Sequence, residues 1–507
     1  MTFARSVRAA VRLLLLVSMI SGALATVAGA QVTQAEYAAR RAALAKSLTG
    51  DGVILVLGNR EPKENFQNFW QSEHFNYLTG FLEPEAAMVM VKKGDTVEQF
   101  LFVEPRDPAQ EVWTGARLGV EGVKPKTGMT GRAASALRAT LDSLLAQGGN
   151  LFTVGDLSRG GGADVPGSTA IRTADDQFVD QLKLAHRNVT VSDAGNQVNR
   201  LRGAKSAAEL ALIRTAAQVS AKAHVQAMHA IAPNLAEFEI QALAEYTFRR
   251  NGADGPSYGS IVGSGPNSTT LHYNKDDRFM KAGEMVNMDM AAYYGGYSAD
   301  ITRTVPVNGT FTPAQKDIYQ IVLDAQMAAE RQVKAGTRFT TLNDSATAVL
   351  RNGLTKVGLI ESPNATYDCG NGRSCSQLSL YYMHGLGHPI GLDVHDVDVG
   401  FGSTAPLAVG SAFTIEPGIY VRENLLSIIP DTPKNAELRV KVAAGLKKYA
   451  NIGVRVEDDY IVTATGFERP TSEAPRTIAD IEKEMAKKGP IPARDAATVE
   501  AYKKIRP

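Results

Sequence analysis

The chain has 507 residues, 54 Lys and Arg against 53 Asp and Glu, a net charge of +1 and a hydrophobic fraction of 44%. That length suggests two or three domains, and the apolar fraction is ordinary for a globular protein with a full core. Balanced charge removes the electrostatic case for nucleic acid or an anionic membrane as partner, and the two cysteines are too few for a thiolate zinc site.

Residues 1–30 open with Arg5, Arg8 and Arg12, continue through the apolar run Leu13 to Ile20 and end in Ala28-Gly29-Ala30. Charged, apolar and small-residue regions in that order form a secretory signal peptide. The expectation is cleavage after Ala30 and a mature protein from Gln31 to Pro507 in the periplasm or secreted, with a retained N-terminal anchor as the alternative. The apolar run is short for a bilayer, and no later stretch reaches the ~18 apolar residues of a membrane span, so no stable membrane anchor is expected.

Residues 31–190 read as a smaller α/β domain. Glu36 to Leu48 has helical periodicity, Gly52 to Leu57 reads as a buried strand, and Ala86 to Val91 and Glu98 to Val103 as two more. Gly160 to Ser168 reads as a loop, followed by a helix over Asp175 to Leu184, a strand over Val189 to Val191 and a domain boundary near residues 185–200. Trp113 is assigned by default to the core, with a neighbouring pocket as the other option.

Residues 200–475 repeat a pattern, and residues 476–507 form a tail with one helical segment. The capping box Ser206 to Glu209 opens a helix to about Ile231, and a second runs from Leu235 to Asn251-Gly252. A strand pair follows. Thr312-Pro313 then opens a helix to about Gly336, a fourth covers Leu342 to Val357, and strands are expected at Ala412 to Val421 and Ile452 to Thr463. Two helices and a strand pair, twice over, suggest a duplicated unit whose sheets close around a shared centre. The overall class is α+β.

The first strand pair, EMVNMDMAAYYGGYSADITRTV from Glu284 to Val305, reads as a β-hairpin with a glycine tip. A two-residue tip at Tyr294-Gly295, or a four-residue tip at Tyr293 to Gly296, sets Asp289 directly opposite Asp300. Carboxylates that close repel and are costly to desolvate, so positive charge is needed between them, and one or two divalent ions would supply it. The alternative is that one Asp faces solvent while the other caps a turn.

His384, His388 and His395 stand in YMHGLGHPIGLDVHD, a glycine-rich loop entering a strand, where imidazoles suit metal or acid/base work, though any one of them can be structural. Glu416 lies in AFTIEPGIY and Glu457 in IGVRVEDDYIV, both strand contexts in which a charge needs a partner. Arg455 and Glu457 share a face. An Arg455–Glu457 salt bridge is the plain alternative there, and Asp458 and Asp459 read as solvated rim charges. Four carboxylates and an imidazole together form a hard-ligand set suited to two divalent ions such as Mn2+.

These motifs resemble the M24 metallopeptidase family, the methionine aminopeptidase, aminopeptidase P and prolidase group with the pita-bread fold. The likeness lies in DMAAYYGGYSADITRT, HGLGHPIGLDVHD, TIEPGIY and GVRVEDD over roughly residues 200–475. RRAAL, FNYLTGFLEPEA and EVWTGARLG resemble the N-terminal domain of bacterial aminopeptidase P. The resemblance implies Asp289 as ligand to one metal, His388 and Glu416 to the other, and Asp300 and Glu457 bridging both. It implies His272, His384 and His395 as contacts to substrate and developing charge, Arg455 beside the last ligand, and Glu416 also as general acid/base. It further implies two divalent ions, Mn2+ expected and Co2+ or Zn2+ as alternatives, peptide substrates with proline at the second position, and a dimer or tetramer. The activity it implies is removal of an N-terminal residue preceding proline. Xaa-Pro dipeptide cleavage is the close rival, and a non-catalytic binding module or creatinase-like chemistry are more distant ones. Pro389, directly after His388, departs from the large apolar residue expected there. Ser362 to Leu380, which holds Cys369 and Cys375, and Arg422 to Ala450 look like inserts, read as solvent-exposed decoration with a role in substrate access or a subunit contact as the alternative, and the cysteine pair is placed to staple a surface loop in an oxidising compartment.

Overall fold

A computed structural model describes residues 31–62, 68–154, 173–401, 405–489 and 496–505. The signal peptide expected over residues 1–30 and the Gly160 to Ser168 loop lie outside the described residues. The chain divides into two compact units, Val32–Gly203 and the residues from Ala204 onward. Among the described residues no helix is long and apolar enough to cross a membrane.

In the first unit a six-stranded sheet runs in the order Thr130–Ala133, Thr96–Val103, Ala87–Lys93, Gly52–Leu57, Gly149–Val154, Val189–Asp193. The middle pairs, Gly52–Leu57 with Ala87–Lys93 and Ala87–Lys93 with Thr96–Val103, are antiparallel, and the outer pairs are parallel. The unbroken apolar run of Gly52–Leu57 suits its central place, where Val53 to Val56 are covered on both faces. Thr33 caps the helix Gln34–Ser47, and a Thr173/Asp176 capping box starts Ala174–Ala185. The unit continues through the helix Gly195–Gly203. Trp113 is not core: the helix Pro108–Thr114 buries no residue, and Val112 and Trp113 are 80% and 84% exposed.

The second unit shows the repeat. Helices Ala207–Ala230 and Glu237–Arg250 precede one set of strands, and helices Pro313–Glu330 and Phe339–Lys356 precede the other. The capping boxes Ser206/Glu209 and Thr312/Gln315 form. The strands differ from the sequence reading in one systematic way: each breaks where it carries a candidate ligand. Ala412 to Val421 is two strands, Ala412–Ile415 and Gly418–Val421, interrupted at Glu416-Pro417. Ile452 to Thr463 is likewise Ile452–Arg455 and Asp458–Thr463, interrupted at Val456-Glu457. Ala412–Ile415 pairs with Asp458–Thr463, and Gly418–Val421 with Ile452–Arg455, so both breaks fall at one level.

The hairpin register also differs. Gly295 and Gly296, with φ of 57° and 89°, form the turn, since a two-residue loop of the favoured hand needs positive φ at both positions. Tyr294 therefore pairs with Tyr297, and Asp289 opposes Thr302 rather than Asp300. The slip is two residues, and two is the side-chain period of a strand, so both carboxylates keep one face. Where this ladder breaks, the carbonyls of Met290 and Ile301 face His224 Nε2 at 3.0 and 3.2 Å.

The two inserts pack on one another. A Cys369–Cys375 disulfide closes the hairpin Thr366–Asp368/Ser374–Ser376, and Asn435, buried in the helix Pro433–Tyr449, bonds both the N–H and the carbonyl of Asp368. That helix buries Leu438, Val442, Leu446 and Tyr449, so it is part of the core and not free decoration. In the tail, Ile478–Met485 buries Ile481 and Met485, and Glu484 meets His229 at 2.7 Å.

Candidate metal centre

Asp289 ends the strand Met285–Asp289, and Asp300 lies just before Thr302–Pro306. Both are nearly buried, at 7% and 5% exposure. The hydroxyl of Tyr258 sits between them, 2.5 Å from Asp289 Oδ1 and 2.6 Å from Asp300 Oδ1. Glu457, 2% exposed, accepts from Thr302 Oγ1 at 2.6 Å, and its N–H donates to the carbonyl of Thr302, which fixes the break in one repeat against the strand of the other.

His388 closes the group, with Nε2 3.4 Å from Asp300 Oδ2 and 3.5 Å from Glu416 Oε1. Its backbone N–H donates to Thr414 Oγ1, and Gly387 is required beside it because a Cβ there would come within 2.1 Å of the Thr414 carbonyl oxygen. Three sets of ligand atoms each lie within 4.8 Å of one another: Asp289/Asp300/Glu457, His388/Glu416/Glu457 and Asp300/His388/His395. The five residues Asp289, Asp300, His388, Glu416 and Glu457 therefore converge. His395 comes nearer to them than a purely outer contact, its ring 3.9 Å from that of His388. His384 faces the Tyr420 hydroxyl through Nε2 at 2.9 Å and Glu416 through Nδ1 at 3.7 Å. His272 stands exposed and belongs to none of the three sets.

The electrostatics are those of a site built for added cations. Burial, together with Asp300, Glu416 and Asp289, drives the Glu457 carboxyl well above the usual range, and burial lifts Glu416 to about 7. Asp289 also rises through burial, against the opposing pull of Arg455. Burial opposes a charge on His388, yet Asp300 and Glu416 raise it to about 9. His384 falls to about 3 through burial and the nearby Arg455 charge. Arg455 brings one positive charge to the four carboxylates, ion-paired to Asp289 through Nη2, bonded to Tyr420 and Thr302, and 4.0 Å from Glu457. The Arg455–Glu457 salt bridge that stood as the plain alternative thus gives way to a pairing mainly with Asp289. Ligand atoms about 2.1 Å from one ion and about 90–110° apart stand roughly 3.0–3.4 Å from each other, close to the His388 separations. The residues present fit divalent ions.

Asp458 and Asp459 are not rim charges, for both are fully buried. Asp458 pairs with Arg303 at 2.7 Å and also meets Arg469 and Arg476, which outweigh burial and hold it near 2. Asp459 accepts from the Asp300 N–H, and burial with Asp300 close by raises it well above the usual range. Tyr258, Thr302, Tyr420 and His224 were not singled out from sequence. Tyr258 stands in a Pro-Ser-Tyr-Gly loop with no spacing signal, while Thr302 was legible as the residue two positions after Asp300 on the same strand face.

Paired helices and broken strands, repeated about a centre of buried carboxylates and imidazoles, define a pita-bread metallohydrolase fold. The description metallopeptidase family M24 matches residues 211–464, and aminopeptidase P, N-terminal domain, matches residues 37–152. The chain is 32% identical to the Xaa-Pro aminopeptidase of Haemophilus influenzae over 461 residues, 90% of this chain and 98% of that protein. Among solved structures, a substrate complex of an Escherichia coli aminopeptidase P variant superposes with a TM-score of 0.76 at 30% identity, covering 90% of this chain and 99% of that one. Pseudomonas aeruginosa aminopeptidase PepP gives 0.75 at 32% identity with the same coverage. The chain belongs to metallopeptidase family M24 and is an enzyme of that family.

Proposed function

We propose that this metallopeptidase is an exported Xaa-Pro aminopeptidase with a dinuclear centre. The single observation that carries the reading is the convergence of Asp289, Asp300, His388, Glu416 and Glu457, from two interrupted strand pairs and a glycine-rich loop, into two sets sharing Glu457. Asp289, Asp300 and Glu457 would hold one ion, and His388 and Glu416 the other with Asp300 and Glu457 bridging. An oxygen-rich set with one imidazole favours Mn2+, with Co2+ or Zn2+ as alternatives. When bound, such a pair supplies a water of lowered pKa and polarises the scissile carbonyl.

The chain's own side chains do the rest. Glu416, 3.7 Å from His384 Nδ1, lies where it can take a proton from the attacking water and pass it to the leaving amine. His395, exposed at the edge of the cluster, can donate to the oxygen that gains charge, and His384, whose two ring nitrogens face the Gly385 carbonyl and the Tyr420 hydroxyl, lines that edge. Arg455 holds Asp289 and the Tyr420 hydroxyl, and Tyr420 in turn holds His384, so one guanidinium orients both a ligand and an imidazole at the edge of the site. His272 is available to the substrate from its exposed segment.

Proline at the second position is supported by the likeness to the Haemophilus influenzae enzyme across nearly the whole of both chains. Export is supported by the arrangement of residues 1–30 and by the Cys369–Cys375 bond, which persists in oxidising compartments. A dimer or tetramer is supported by the exposed Val112 and Trp113, since apolar side chains that protrude from a helix invite a second surface.

The test is an assay of the Mn2+-loaded protein on Xaa-Pro-Yaa, Xaa-Ala-Yaa and Xaa-Pro peptides. Cleavage of the tripeptide at the Xaa-Pro bond, with the alanine peptide at least ~10-fold poorer, is expected. Cleavage of the dipeptide alone would turn the assignment to a prolidase.

A further inference from the structure

Lys205 and Asp396 form an ion pair at 2.6 Å with side chains only 2% and 1% exposed, and neither belongs to the ligand set. Asp396 follows His395 directly, and its N–H donates to the carbonyl of Pro389, the residue after His388, at 2.9 Å. Residues 388–396 are thereby closed into a loop with the two histidines at its neck, their rings 3.9 Å apart. Gly391 packs against the ion pair, because a Cβ on it would lie 2.1 Å from Asp396 Oδ2 and 3.0 Å from Lys205 Cε. The Gly391 carbonyl accepts from the N–H of Ser298 at 2.7 Å, two residues before Asp300. The loop is moored on one side to the hairpin that carries Asp300 and on the other to Lys205, 191 residues from Asp396 in sequence.

Desolvating two charges leaves such a pair with little net stability over apolar residues of the same shape, but any loop setting that separated them would pull a buried carboxylate away from its buried ammonium 2.6 Å off. The pair therefore selects one loop geometry more than it strengthens the fold. We propose that Lys205 and Asp396 are positioning residues of the metal centre, holding the 388–396 loop so that His388 Nε2 faces Asp300 and Glu416. This rests on the dinuclear reading above. Groups that orient a ligand from behind are worth about 10–100-fold in metal affinity or activity when removed.

The experiment compares wild type, Lys205→Met and the double variant Lys205→Met/Asp396→Asn, which removes both charges of the pair. Metal-free protein is titrated with Mn2+ by isothermal calorimetry, and kcat, KM and the thermal midpoint are measured alongside. The expected result is that one of two Mn2+ ions binds at least about 10-fold more weakly in both variants. kcat falls by a similar factor with little change in KM, and the double variant recovers the thermal midpoint without recovering the affinity. Should the single variant fail to fold, the double variant carries the comparison. A folded double variant that binds both ions and turns over like wild type overturns the proposal. Wild-type protein that binds no Mn2+ overturns the dinuclear reading and the proposal with it, and that outcome is read without any variant.

Discussion

Asp300 is held from three sides: Tyr258 bonds its carboxylate, His388 faces it, and its backbone N–H donates to Asp459. Asp300→Ala deletes a candidate ligand from two of the three clustered sets. The expected outcome is loss of at least one bound metal equivalent and of activity, by elemental analysis and peptide assay; full metal content with full activity would mean the centre lies elsewhere. A second buried acid, away from the ligands, gives a prediction of a different kind. Asp276 is fully buried with Oδ2 unpartnered, and burial, with Glu237, Glu245 and Asp277 nearby, raises it to about 7. The folded pKa lies above the unfolded value of about 3.9. The folded state thus holds the proton more tightly, and the stability this gives is complete below about pH 4 and lost as pH rises through 7. Asp276→Asn keeps an acceptor for the Val262 N–H and removes the ionisation. Its thermal midpoint should therefore gain on wild type between pH 4 and 8, by about 2–4 °C for each kcal/mol. Parallel pH profiles for the two proteins would refute the shift.

At the level of elements, the disulfide hairpin Thr366–Asp368/Ser374–Ser376 leads through the short helix Gln377–Leu380 into Tyr381 and the His384 loop. Closing so short a loop constrains the unfolded chain by about 2 kcal/mol. Cys369→Ser/Cys375→Ser should lower thermal stability by no more than that while metal content stays at the wild-type level, because no ligand lies in the hairpin. Loss of metal content would mean that the hairpin braces the ligand loop directly. Much at this scale was legible beforehand. Helix starts were, because Ser206/Glu209 and Thr312/Gln315 announce themselves through local hydrogen bonding. The strand break at Glu416 had a local sign in Pro417-Gly418, which interrupts a ladder, whereas the break at Glu457 had none, because Asp458 and Asp459 read as exposed charges on a continuing strand and only pairing across the sheet reveals that the ladder changes partner. The hairpin register escaped for a related reason: YYGGY admits more than one tip, and the positive φ of both glycines decides between them. The buried state of Asp458 was equally hidden, being set by Arg303, Arg469 and Arg476, which come together only in three dimensions.

Across the second unit as a whole, the candidate ligands divide between the two repeats, Asp289 and Asp300 on one and His388, Glu416 and Glu457 on the other. The repeats already meet through polar contacts: Arg455 N–H donates to Thr304 Oγ1, Thr304 Oγ1 to the Arg455 carbonyl, and Arg303 to Asp458. These leave the central carboxylates only partly compensated, since Arg303 is committed to Asp458, and Arg455 beside Asp289 with His388 beside Asp300 and Glu416 brings two positive charges to four acids. Cations that fill the centre therefore bind only when the repeats are in register, and binding restricted to the folded state stabilises by mass action, about 2.7 kcal/mol at 100 times Kd and about 4.1 at 1,000 times Kd. The thermal midpoint in saturating Mn2+ should exceed that in chelator by roughly 5–15 °C. In Asp300→Ala the difference should shrink sharply even if the chelated variant melts near the chelated wild type, because repulsion among the carboxylates is relieved by the same substitution that removes the ligand. Equal melting of wild type with and without metal would show that the seam closes by its polar contacts alone, and that the four acids are tolerated by protonation rather than by ions.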